Sequence, residues 1–115
     1  MHINHENEID STLIQAITPL LDARIPLFNQ SVLLKGINDN ALALAKLSHT
    51  LFDNGIQPYY LHVLDKVQGA AHFDVPQTKA VALYKELMAN VSGYLVPKMV
   101  REIAGEANKT PINLA

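Results

Sequence analysis

The chain has 115 residues, 49% of them hydrophobic and 17% charged, with a net charge of −2 and no cysteine. That length suffices for one small domain with its own core. The missing cysteines exclude disulfides, a thiolate nucleophile and any cysteine-ligated zinc or iron–sulfur site within these residues.

The lysines and arginines are scattered, so no basic footprint for nucleic acid is visible. No apolar run reaches the roughly 18 residues of a membrane span. The start, MHINHENEID, is polar and acidic, unlike a signal peptide. A soluble, cytoplasmic protein is the expectation.

Met1 to Asn4 reads as the tail of a strand, with His2, Asn4 and His5 close together. Ile9, Leu13, Ile17, Leu20 and Leu21 then fall on one helical stripe, with Asp10 or Ser11 as its cap. Pro19 sits inside this stripe and lacks a backbone donor, which predicts a kink or an early stop. Ile25 to Leu34 is a second strand with a polar centre, Asn29-Gln30-Ser31. Alternation places Asn29 and Ser31 on one face and Gln30 on the other. Buried amides of this kind require partners, either protein or ligand. Lys35 to Asn40 is a turn, and Asp39 or Asn40 should cap the next helix.

Ala41 to Phe52 carries the stripe Leu44, Leu47, Leu51 and Phe52, closed by Asn54-Gly55. Pro58 to Leu64 is almost continuously apolar, as in strands covered on both faces of a parallel sheet. It runs into the polar stretch Asp65 to Gly69 and then His72-Phe73. Pro76 suits a first helical turn. Ala80, Leu83, Tyr84, Leu87, Met88 and Val91 form the clearest apolar stripe, ended by Ser92-Gly93. Tyr94 to Val100 reads as a short strand that Pro97 restricts to an edge or a bulge. Glu102 to Ala115 reads as a loop or mobile tail.

The order β-α-β-α-β-α-(β) predicts an α/β fold of three to four parallel strands and three main helices, joined by right-handed crossovers. So few units cannot close a barrel and would leave open sheet edges. The chain therefore reads as a sector of a partial (β/α) barrel over 1–101, followed by a loop or tail over 102–115. An uncovered edge also predicts some self-association, a possible homo-oligomer. Parallel sheets keep their chemistry past the carboxyl ends of the strands. His2, Asn4 and His5, then Lys35 to Asn40, then Asp65 to His72 converge on that rim.

Singly, these residues are ambiguous. Asp65 is either a ligand carboxylate or a turn residue. His62 reads as a satisfied core histidine, His72 as a ligand or a surface loop residue, and His49 as solvent-facing on a helix. By composition Lys109 is a tail lysine. His2 and His5 match no zinc spacing without further ligands. No phosphate loop, nucleophile elbow or metal motif is present.

Five segments, HINHENEI, IPLFNQSVLLKGINDN, PYYLHVLDKVQGAAHF, SGYLVPKMVREIAG and NKTP, resemble successive segments of the lysine 2,3-aminomutase family, in the family's order. The wording LHVLDKVQGAAHF and the ending NKTPINLA are most similar to the bacterial branch that makes β-lysine for elongation factor P. The resemblance implies a radical S-adenosyl-L-methionine isomerase with a partial (β/α) barrel, pyridoxal phosphate and a 4Fe–4S cluster. The implied reaction converts L-lysine to (R)-β-lysine.

Residue by residue, the resemblance makes Lys109 the catalytic lysine that binds pyridoxal phosphate, which needs an amine whose pKa can fall. It makes Asp65 and Glu102 the carboxylates that receive the substrate's ε-ammonium. It places His2, Gln30 and Ser31 on the cofactor side. The family's CxxxCxxC motif is absent here, as are the arginines expected upstream for the lysine carboxylate and the phosphate. His62 stands where free lysine mutases carry tyrosine, and EAN precedes Lys109 where they carry glycines. The expectation is the C-terminal part of such an enzyme, inactive by itself. The alternative is a non-catalytic half-barrel that binds a ligand or a partner.

Overall fold

A computed structural model describes residues 1–64, 75–101 and 110–112. Three helices, α1 (Ser11–Asp22), α2 (Ala41–Asp53) and α3 (Gln77–Asn90), accompany four strands. The strands are β1 (Leu27–Leu33), β2 (Ile56–Val63), β3 (Lys98–Arg101) and β4 (Thr110–Pro111), in spatial order β1-β2-β3-β4. The pairs β1–β2 and β2–β3 are parallel, whereas β3–β4 is antiparallel. From α1 onward the expected alternation of strand and helix is present, with the parallel part held to three strands, whereas Met1 to Asn4, expected as the tail of a strand, belongs to none of them.

One face of the sheet is buried under helices. Leu33, Leu61, Val63 and Met99 pack there against Leu44 of α2 and Ala80, Tyr84 and Leu87 of α3. A second apolar cluster joins Ile3, Ile17 of α1, Leu47 and Leu51 of α2, and Ile56 of β2. Each fully buried aliphatic side chain contributes about 1.5–3 kcal/mol. The Tyr84 hydroxyl donates to the Pro97 carbonyl at 2.6 Å, and burial raises the phenol's pKa above its ordinary value.

Capping follows the sequence signals. Asp10 accepts from the Leu13 N–H at 2.9 Å and Asn40 from the Ala43 N–H at 2.8 Å. Gly55 sits at φ +82°, and a Cβ there would stand 2.8 Å from Leu21 Cδ2. The positive φ favours glycine, and any other residue would also have to displace the tip of the Leu21 side chain.

Four further expectations change. α1 runs through Pro19 to Asp22. Proline's fixed φ is helical and costs one hydrogen bond, and the Gln15 residue whose carbonyl loses its partner is exposed. β3 is interior, paired on both sides, because Pro97 lies just before it and removes no ladder donor. The tail does not stay apart: Thr110–Pro111 pair with β3 and Ile112 is buried in the larger cluster. The α3 stripe is narrower than expected, since Met88 is 41% exposed.

α1 ends in a doubly bonded cap. Arg24 N–H donates to the Leu21 carbonyl at 2.9 Å and Ile25 N–H to the Leu20 carbonyl at 3.0 Å. The cap puts Arg24 at φ +59°, a conformation that penalises any Cβ. Arg24→Gly should therefore stabilise the fold by up to about 1 kcal/mol, read as a raised urea midpoint. A lowered midpoint would mean that the arginine side chain contributes more than its backbone costs.

Candidate functional site

The face of the sheet opposite the helices carries the polar and aromatic side chains. In β1 the core side takes Asn29, Ser31 and Leu33, leaving Phe28, Gln30 and Val32 on the open side. In β2 the phase changes partway. Asn29 pairs with Pro58 but Gln30 pairs with Tyr60, so Tyr59 is an extra residue in the ladder. Pro58 has no N–H to donate, which explains why the ladder breaks there. Beyond this bulge Leu61 and Val63 turn inward, and Tyr60 and His62 face the open side.

Gln30 and His62 meet on that side, with His62 Nε2 2.8 Å from Gln30 Oε1. Both are half-buried. With the amide oxygen towards the ring, Nε2 carries the proton; the amide orientation is an assignment from this geometry. Tyr60 tilts against His62 with ring centroids 5.9 Å apart, and Tyr59 lies edge-on to Tyr60 at 4.5 Å and to Phe28 at 5.3 Å. Lys98 Nζ sits 5.9 Å from the Tyr59 ring centroid, in range of a cation–π contact. A cleft of about 310 Å³ adjoins, lined by residues that include Tyr60, Lys98, Val100 and Pro111. This face can stack a planar group and offer it a carboxamide and an imidazole.

The rim above it is tied to the first turn of α3. Asp39, in the turn after β1, accepts from Lys79 Nζ at 2.9 Å. Arg101, at the end of β3, donates to Gln77 Oε1 at 3.2 Å. Asp39 is held below its ordinary carboxylate value, chiefly by the Lys79 hydrogen bond, against a desolvation that acts the other way.

Of the residues singled out from sequence, Gln30 and His62 are brought together, and His62 is no core histidine. His2 is exposed, beside Ile3 that points into the apolar cluster, so alternation sets His2 on the open side with Gln30. Ser31 lies on the other face. Its hydroxyl donates to the Ile3 carbonyl at 2.8 Å and accepts from Asn29 Nδ2 at 3.0 Å. Asp65, His72, Glu102 and Lys109 lie outside the described residues. Asn38 was not singled out, although it is completely buried; nothing in the turn KGINDN distinguishes it from its neighbours. Among the described residues no group of three or more histidine, aspartate or glutamate side chains could hold a metal. No helix among them is long and apolar enough to cross a membrane.

No family model matches the chain. Curated relatives do. It is 59% identical over 113 residues to an L-lysine 2,3-aminomutase of Escherichia coli, covering 98% of this chain and 33% of the relative. It is 58% identical over 109 residues to the protein of that name from Haemophilus influenzae, covering 95% and 32%. To the one from Clostridium subterminale it is 39% identical over 111 residues, covering 96% and 27%. The chain thus spans about a third of the length of these relatives, and the match falls on their C-terminal part.

The rim contact yields a titration test. A depressed carboxyl contributes stability above its unfolded pKa, and loses it as pH falls through the folded value. Lys79→Met should raise the Asp39 titration midpoint towards the ordinary carboxylate range, followed by carboxyl NMR. Because the Lys79 side chain is 50% exposed, the change in unfolding free energy at neutral pH should stay below about 1 kcal/mol. An unmoved midpoint would show that Lys79 does not hold Asp39 in solution.

Proposed function

We propose, from a sequence that matches one third of the L-lysine 2,3-aminomutases over nearly all of its own length, that this chain is the C-terminal sector of an enzyme of that family. The whole protein would convert L-lysine to (R)-β-lysine in the cytoplasm, for attachment to elongation factor P. The chain would supply the lysine and pyridoxal phosphate side of the partial (β/α) barrel. The observation that carries this reading is 59% identity across 98% of the chain, joined to a sheet with one face packed and the other polar and aromatic.

In this reading Lys109 binds pyridoxal phosphate through its amine, and Asp65 and Glu102 receive the ε-ammonium of lysine. Two carboxylates around one ammonium are a sound pairing: each is worth up to about 4 kcal/mol at 4 Å and an effective dielectric near 20, before desolvation. His2 and Gln30 line the cofactor side, with His62 orienting the Gln30 carboxamide. Ser31, expected on that side, does not line it: it is buried on the opposite face, with its hydroxyl bonded to the Ile3 carbonyl and Asn29 Nδ2. Pyridoxal phosphate, when bound, supplies the electron-delocalising ring through which an amino group can migrate.

The 4Fe–4S cluster does not fit these residues. It needs thiolate ligands, and the chain has no cysteine. Cluster and S-adenosyl-L-methionine cleavage therefore belong to sequence outside this chain, and the chain alone should be inactive. That same lack favours a second reading, a non-catalytic half-barrel that binds a small ligand or a partner.

Incubating the chain with pyridoxal phosphate, reducing with borohydride and mapping the adduct by mass spectrometry separates the two. Labelling concentrated at Lys109 supports the aminomutase reading. Labelling spread over all the lysines would count against a dedicated site there.

A further inference from the structure

The outer edge of β1 is closed in an unusual way. Its first rung is ordinary backbone: the Met1 amine donates to the Phe28 carbonyl at 2.8 Å, and Gln30 N–H donates to the Met1 carbonyl at 2.8 Å. At the next rung side chains replace the backbone. Ile3 N–H donates to Asn29 Oδ1 at 2.8 Å, and the Ile3 carbonyl accepts from Asn29 Nδ2 at 2.9 Å and from the Ser31 hydroxyl at 2.8 Å. Asn29 and Ser31 are 1% and 4% exposed. Farther along, Val32 N–H donates to Asn4 Oδ1 at 2.8 Å.

Both peptide groups of Ile3 are therefore gripped by buried side chains from within the sheet. This grip pins Ile3 inward, and a chain pinned inward at one residue must project its neighbour outward. We propose that Asn29 and Ser31 are positioning residues for His2. They set it on the open face beside Gln30 and His62, so that side chains from three adjacent segments address the same ligand. The role of His2 towards that ligand rests on the functional reading above; its placement does not.

NMR of the intact chain tests the placement. The wild-type chain should show cross-strand contacts between His2 and Gln30, since adjacent strands run about 4.8 Å apart. Its Ile3 amide should exchange with solvent far more slowly than that of exposed Asn7. Asn29→Ala and Ser31→Ala should lose the His2 contacts while still melting cooperatively, and Ser31→Thr, which keeps the hydroxyl, should restore them.

Contacts that persist in folded Asn29→Ala, or a wild-type Ile3 amide exchanging as freely as that of Asn7, would overturn the proposal. If Asn29→Ala does not fold, Ser31→Ala against Ser31→Thr and the wild-type exchange rates decide. Intact His2 geometry with unselective pyridoxal phosphate labelling would overturn the aminomutase reading alone. Lost geometry with selective labelling would overturn only the positioning role.

Discussion

A strand at the end of a sheet exposes a row of peptide donors and acceptors, and everything on this molecule's open face depends on how that row is satisfied along β1. Backbone does part of it, through Met1. Asparagines do the rest. Asn38 donates to the Asn4 and Val32 carbonyls and accepts from Leu34 N–H, each within 2.9 Å. A carboxamide has the same donor and acceptor as a peptide, so it can take a peptide's place where the main chain turns away. Burying such groups is expensive unless each is paired. Among the described residues every buried side-chain polar atom has a partner. This closure also removes the template for edge-to-edge pairing along β1, which the sequence alone left open.

The two faces of the sheet then divide the labour. Helices α2 and α3 cover one face with mostly aliphatic side chains. The other face presents Gln30, Tyr60 and His62 above an aromatic row running from Phe28 to Tyr59. Phe28 and Tyr59 remain 47% and 39% exposed. An aromatic surface of this kind on a small domain is typical of a binding face. Gln30 lies at the middle of β1 and His62 next to the carboxyl end of β2, the end at which parallel sheets hold ligands. The packed face and the polar, aromatic face thus draw on different residues of the same strands.

Much of this was legible beforehand, and the failures have physical causes. The helices follow from the spacing of Leu44, Leu47 and Leu51 and from the capping side chains of Asp10 and Asn40, which are local signals. The pairing of Asn29 and Ser31 on one face followed from alternation, and so did their need for partners. Whether those partners were protein or ligand could not be read, because they lie 26 and 28 residues away in the chain. Pro19 and Pro97 misled because a proline's cost depends on whether the lost hydrogen bond was required. His62 misled because a near-continuous apolar strand marks no open face, and the bulge at Tyr59 that sets its side is fixed by pairing with β1. Asp65, Glu102 and Lys109 lie outside the described residues, and the roles expected of Glu102 and Lys109 come only from the family resemblance.

That bulge decides which side chains of β2 face outward. Upstream of Tyr59 the inward residues are Ile56 and Pro58; downstream they are Leu61 and Val63. Tyr59 is the extra residue that puts the two halves out of step, so its loss would leave a regular strand with Leu61 and Val63 still inward, whereas smoothing the bulge with every residue kept would turn His62 into the core and Leu61 out. A chain lacking one residue at this point should therefore keep both faces of β2, while at the present length it is the bulge that holds His62 outward. Which side chains of β2 reach the open face depends on how the strand pairs with β1 as much as on their identities.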